Sequence, residues 1–177
     1  MRQGLGPCHL CRSGGDAESH ARDRDFAGMA RSYAIWSSMV RIEFYVLSSA
    51  TPADRLRAAC QLAGKAWRAG LPVFLRGADP GQCDELDALL WRYKADGFVP
   101  HNLHQDDPQA PVVIGLDDEP STRQGVLINL SGTISPHVER FSRVIEIVNQ
   151  EPDLLTACRE NFRSYRQRGY DPQRVEL

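Results

Sequence analysis

Residues able to recognise an acidic peptide cluster near the C-terminus. On a helix turning ~100° per residue, Leu155, Arg159, Phe162 and Arg166 fall on one face, with Arg163 beside them. Leu154, Cys158, Asn161 and Tyr165 fall about a quarter turn away, on what should be the inner face. Arginine gives bidentate contacts to carboxylates, and a ring with an aliphatic neighbour gives an apolar floor. That combination suits a peptide carrying an acidic group and an apolar side chain. The plain alternative is a solvated basic face, which the dipole at a helix C-terminus favours anyway.

A second candidate lies at Leu86 to Asn102, LDALLWRYKADGFVPHN. An apolar helical pattern ends at Trp91, a polar break follows, and Phe98-Val99-Pro100-His101 cannot be helical. Pro100 lacks an N–H and pushes Val99 toward extended geometry. Trp91 and Phe98 therefore flank a loop at a helix end, where amphipathic aromatics often mark an interface. Core packing is the alternative for each ring.

Other chemistry is poorly supported. Cys8-His9-Leu10-Cys11 has zinc-ligand spacing, but no second CxxC exists and His20 would make only a third ligand. His101 could be read as a general base, yet no Ser or Cys partner is near it in sequence; His104 sits in a polar stretch. Asp84, Glu85 and Asp87 crowd what reads as a helix N-terminus, where the dipole favours acids. No GxGxxG, GxxxxGK[ST], serine nucleophile elbow or HExxH occurs. No catalytic residue, cofactor or metal is expected.

These side chains must be positioned by an alternation of strands and helices. Ile42 to Leu47, Pro72 to Leu75, Val112 to Leu116 and Val126 to Leu130 read as buried strands, and Arg143 to Val148 as a fifth, with a helix as its alternative. Three helices begin at prolines preceded by short polar residues or an acid. The first is Thr51-Pro52 with Thr51 as cap, the second Asp79-Pro80 with Asp79 as cap, and the third opens at Pro152. Gly70 and Gly169 close the first and last. Cys83, Leu86 and Leu90 form the inner stripe of the middle helix. Pro136 to Phe141 suggests a short helix. The expected fold is α/β and Rossmann-like, a mostly parallel sheet of about five strands with helices on both faces. The turn after the first strand, Ser48-Ser49-Ala50-Thr51-Pro52, has no glycine, so no nucleotide-binding loop is expected.

Bulk properties are those of an ordinary soluble globular protein, and it is the missing phosphate-binding chemistry that points to a binding module rather than an enzyme. The 177 residues carry a formal charge of −2, with 42% hydrophobic and 25% charged residues. Such a chain has no global basic field for wholesale phosphate-backbone binding. No apolar run reaches the ~20 residues of a membrane span, and no signal-peptide pattern opens the chain. The cytoplasm is the expected compartment. Residues 1–38 are rich in Gly, Arg, Asp and Ser without sustained periodicity. They read as a disordered or mis-assigned extension preceding a domain at 39–177, with only Phe26 to Trp36 able to form a weak helix.

Several residue blocks, taken in order, resemble the chi subunit of bacterial DNA polymerase III holoenzyme. They are FY-V-L in the first strand, A-KAWRAG closing the first helix, LD-LLW then FVPHNL, LIN-L in the fourth strand, and A-REN-R-YR--G in the last helix. The resemblance covers Met39 to about Arg174. It implies a non-catalytic accessory subunit in DNA replication, with a nucleotide-binding-like fold and no nucleotide. By this resemblance Trp91 and Phe98 match aromatics facing the psi subunit, which tethers chi to the clamp loader. Val148, Arg159, Phe162 and Arg163 match the surface that takes the acidic, Phe-terminated tail of single-stranded-DNA-binding protein. Contact with DNA would then be indirect. Phe162 stands where a Tyr can occur and Leu155 where a Lys can occur, and both changes make the surface less polar. A helicase is an alternative occupant of the aromatic face. The alternatives of another class are a nucleotide-dependent enzyme on the same fold and direct single-stranded nucleic-acid binding through the last helix's arginines.

Overall fold

The structure is a computed structural model in which residues 40–92, 98–121 and 124–176 are described. The expected extension at 1–38 and its Cys8 and Cys11 lie outside them.

The first strand, β1 (Arg41–Val46), is β-branched and aromatic, with Ile42, Glu43 and Phe44 buried. Pro52, with φ preset for helix, opens α1 (Pro52–Arg68). Thr51 is its N-cap but its side chain makes no capping bond. Ser49 organises the turn instead. Its hydroxyl donates to Asp54 Oδ2 at 2.6 Å and accepts from the Thr51 N–H at 3.0 Å. Leu56, Ala59, Cys60 and Ala63 of α1 are buried, and Trp67 is partly so. Gly70, at φ +78°, reverses the chain where a side chain would be strained.

Next come β2 (Val73–Arg76) and α2 (Pro80–Arg92). As expected, Asp79 caps α2, its Oδ1 accepting from the Gln82 N–H at 2.9 Å. Asp84, Glu85 and Asp87 lie beyond the first turn of this helix, so they do not serve its N-terminus. Cys83, Leu86 and Leu90 are its buried stripe. Strands β3 (His101–Leu103), β4 (Val112–Gly115) and β5 (Val126–Asn129) follow. A 3-10 turn at Val138–Arg140 leads into β6 (Arg143–Val148), then α3 (Pro152–Gln167) and β7 (Gln173–Glu176).

The strands form one seven-stranded sheet ordered β3-β4-β2-β5-β6-β1-β7, and every pairing is parallel. The class is the expected one, with two more strands than read from the sequence. Both additions are edges: β3 has three residues, and β7 reads Gln-Arg-Val-Glu, with no apolar run to betray it. Segment 143–148 is a strand because it runs between β1 and β5 and is buried on both faces.

Alternation along the strands divides the core. Val73 and Leu75 pack with α1 and α2 in one cluster. Phe74 points the other way, into a cluster holding Phe44, Val144, Val148, Cys158 and Tyr165, which α3 covers. Cys60, Cys83 and Cys158 are buried free thiols; burial pushes Cys60 up to about 12 and Cys158 to about 11. They act as small hydrophobes. Among the described residues no cluster could hold a metal and no helix is long and apolar enough to cross a membrane.

Candidate interaction sites

In open α/β sheets ligands bind beyond the carboxyl ends of the strands, beside the first βα turn. Here the carboxyl ends of β2, β5 and β6 are filled from within. Arg76, at the end of β2, donates from Nε to Asp117 Oδ1 at 2.8 Å, and from Nη1 to the Thr133 carbonyl at 2.6 Å and Asn129 Oδ1 at 3.2 Å. Asn129 Nδ2 donates to Glu146 at 3.0 Å, and the Tyr165 hydroxyl donates to Glu146 Oε1 at 2.8 Å. Glu146 is completely buried, and desolvation raises its pKa despite the hydrogen bonds from Asn129 and Tyr165. Arg55 reaches under the turn to the carbonyls of Ile147 (2.7 Å) and Leu130 (3.0 Å). The turn itself offers a phosphate little. Its Thr51 N–H is taken by Ser49, and the Asp54 carboxylate stands in the first turn of α1, where a phosphate would meet repulsion.

The first surface site is aromatic. Trp91, in the last turn of α2, is 61% exposed; Phe98 is 56% exposed. Sequence placed them on either side of a break; the fold brings their ring centroids to 5.3 Å. His101, which the sequence places in the loop after Pro100, has a structural role. It begins β3, and its side chain is fully buried beneath the pair. Its ring lies 5.2 Å from Trp91 and 6.2 Å from Phe98. Its Nδ1 is 2.6 Å from the Val99 carbonyl, which fixes the ring's direction. Val99, itself fully buried, pins the segment that carries Phe98. Two large hydrophobes are thus held outward on a rigid base, the arrangement of an interface anchor. His104 follows the last residue of β3, with Nδ1 3.6 Å from Asp118 and Nε2 3.2 Å from the Glu119 carbonyl, and shares a small cleft with Cys83.

The second site is a cleft of about 290 Å³ between α3 and the edge formed by β6, β1 and β7. Phe44, Val148, Leu155, Cys158 and Phe162 give it an apolar lining. Phe162 is half-buried and packs on Phe44, ring centroids 5.2 Å apart and tilted by 60°. Arg159 lines the same cleft, is exposed, and has no side-chain partner among the described residues. Val148, Arg159 and Phe162 therefore meet at one place. Arg163 is exposed on α3 but does not line the cleft. Sequence reading missed Phe44, Gln150 and Arg174 as lining residues. The signal for Arg174 was available only as the alternation in Gln173-Arg174-Val175-Glu176, which is too short and polar to stand out.

Known proteins resemble this chain over most of its length. The sequence model of the family described as DNA polymerase III chi subunit, HolC, matches residues 39–173. The chain is 46% identical over 135 residues to the DNA polymerase III subunit chi of Pseudomonas aeruginosa, covering 76% of this chain and 95% of that protein. It is 34% identical over 140 residues to the subunit chi of Escherichia coli, covering 75% and 95%. The subunit chi of Haemophilus influenzae is 31% identical over 132 residues, covering 73% and 92%. Among solved structures, a DEAD box protein from Methanococcus jannaschii aligns with a TM-score of 0.53 at 12% identity. That alignment covers 89% of this chain and 50% of the other, and the likeness is one of fold alone.

Proposed function

The chain belongs to the DNA polymerase III chi subunit family, and from that membership we propose that it is a non-catalytic accessory subunit bridging the clamp loader and single-stranded-DNA-binding protein. In this reading the psi subunit docks on Trp91 and Phe98 and ties the chain to the holoenzyme. The acidic C-terminal tail of single-stranded-DNA-binding protein enters the cleft at Val148, Arg159 and Phe162, with Arg163 adding charge at its margin. DNA is reached only through that protein, in the cytoplasm.

The observation that carries the proposal is an Arg159 guanidinium, without a partner among the described residues, beside an apolar cleft floored by Phe162 and Phe44. An apolar terminal ring fits the floor, and its carboxylate matches the arginine fork. Against a nucleotide-dependent enzyme stands the βα turn, whose Thr51 N–H is occupied and whose first helical turn is acidic.

The test is binding of the full chain to a short acidic peptide ending in Phe, and to the same peptide without it. Binding that disappears with the Phe supports tail capture. Equal binding of both, or of neither, removes it. Tight ATP binding by calorimetry would favour the enzyme reading instead.

A further inference from the structure

The cleft has a second cation on its opposite wall. In β7, Arg174 is in register with Phe44 of β1, and Glu176 with Val46. Neighbours in register on adjacent strands point to the same face. Phe44 faces α3 through Phe162, so Arg174 and Glu176 face α3 as well. Arg174 accordingly lines the cleft together with Arg159. The groove continues past it along the end of β1, through Val46, Ser48 and Gln150, to Glu176. One guanidinium comes from the helix and one from the edge strand, with an apolar floor between them.

Arg174 already holds a carboxylate. Its Nη2 lies 3.1 Å from Glu176 Oε1, with the two side chains 66% and 79% exposed. A pair so open to water is weak, and an incoming carboxylate can replace Glu176 at little cost. We infer that Arg174 is a second anion-binding residue of this cleft, taking an acidic side chain upstream of the peptide's terminal residue, and that Glu176 competes for it from within the chain. The inference rests on the tail-capture reading and adds to it the direction of the peptide, from Arg159 across Phe44 toward the end of β1.

The experiment is titration of a fluorescein-labelled acidic peptide ending in Phe with the full chain and three variants. Arg174→Ala should weaken binding by about threefold to tenfold and lessen its salt dependence. Arg174→Lys, which keeps the charge and the aliphatic stem, should recover part of that loss. Glu176→Gln should tighten binding by about twofold, and should have no effect once Arg174 is Ala, because Glu176 acts only through it. Unchanged affinity in Arg174→Ala, or weaker binding in Glu176→Gln, overturns the inference while leaving tail capture standing. Failure of the unaltered chain to bind the peptide at all overturns both.

Discussion

His101 Nε2 lies 3.4 Å from Asp87 Oδ1, yet the approach lacks hydrogen-bond geometry and the buried nitrogen has no bond among the described residues. The pair joins α2 to β3 directly under the exposed indole of Trp91, 5.2 Å from the imidazole. A buried polar atom with an incomplete partner is costly. Here the imidazole fills the volume on which two surface rings rest, which explains how it is tolerated.

Replacing His101 with Ala should therefore remove the base of the aromatic pair. Loss of a buried ring with a cavity left behind costs on the order of 2 kcal/mol, and Trp91 should become more mobile. Urea unfolding and Trp fluorescence anisotropy check this. A variant as stable as the parent, with unchanged indole anisotropy, would show that the imidazole supports nothing.

How much of this was readable from residues alone depends on where each residue sits in the sheet. The helix starts were legible because Pro52, Pro80 and Pro152 each stand at the first turn. The central strands were legible because burial on both faces demands runs such as Val112 to Gly115 and Val126 to Asn129. The edges were not, since β3 and β7 need fewer apolar side chains. That gap hid part of each site. Without β3, His101 reads as a loop histidine; without β7, Arg174 reads as a polar tail. Trp91 and Phe98 were legible as candidates, but their contact across residues 93–97 is a tertiary fact. Thr51 stands at the N-cap of α1 as the sequence indicates, but its side chain makes no capping bond, and Ser49, two residues upstream, orders the turn through the Thr51 N–H and the Asp54 carboxylate.

Glu146 should make stability fall as pH rises. Its carboxyl is wholly buried, and desolvation, the largest influence, raises its folded pKa above that of the unfolded chain. The folded state then holds a proton that the unfolded state releases. Its contribution is complete below the unfolded value of ~4.3 and is lost as pH climbs through the raised folded value. Glu146→Gln should flatten that slope, read from urea midpoints across pH. Parallel slopes in the variant and the parent would count against the argument.

Trp91 and Phe98 should separate binding from folding. Each is more than half exposed, so Trp91→Ala or Phe98→Ala should cost the fold about 1 kcal/mol or less, mainly the ring contact between them. As anchors of a psi interface, each should cost at least about 2 kcal/mol of binding, roughly thirtyfold. Calorimetry against purified psi, paired with thermal unfolding, gives both numbers. Normal psi affinity in either variant would move the interface elsewhere.

Arg159 and Arg163 should differ although both are exposed arginines one turn apart on α3. Arg159 lines the cleft and Arg163 does not. A charge-assisted contact to a carboxylate contributes ~1.5–3 kcal/mol. Arg159→Ala should thus lower affinity for an acidic peptide ending in Phe by about tenfold or more. Arg163→Ala, acting only as a nearby charge screened by salt, should lower it by about threefold or less, and that loss should vanish at high ionic strength. Neither change should move the unfolding midpoint. Equal losses for the two variants at every salt concentration would mean that the helix contributes only a diffuse positive field, and that the arginine fork of Arg159 recognises no particular carboxylate.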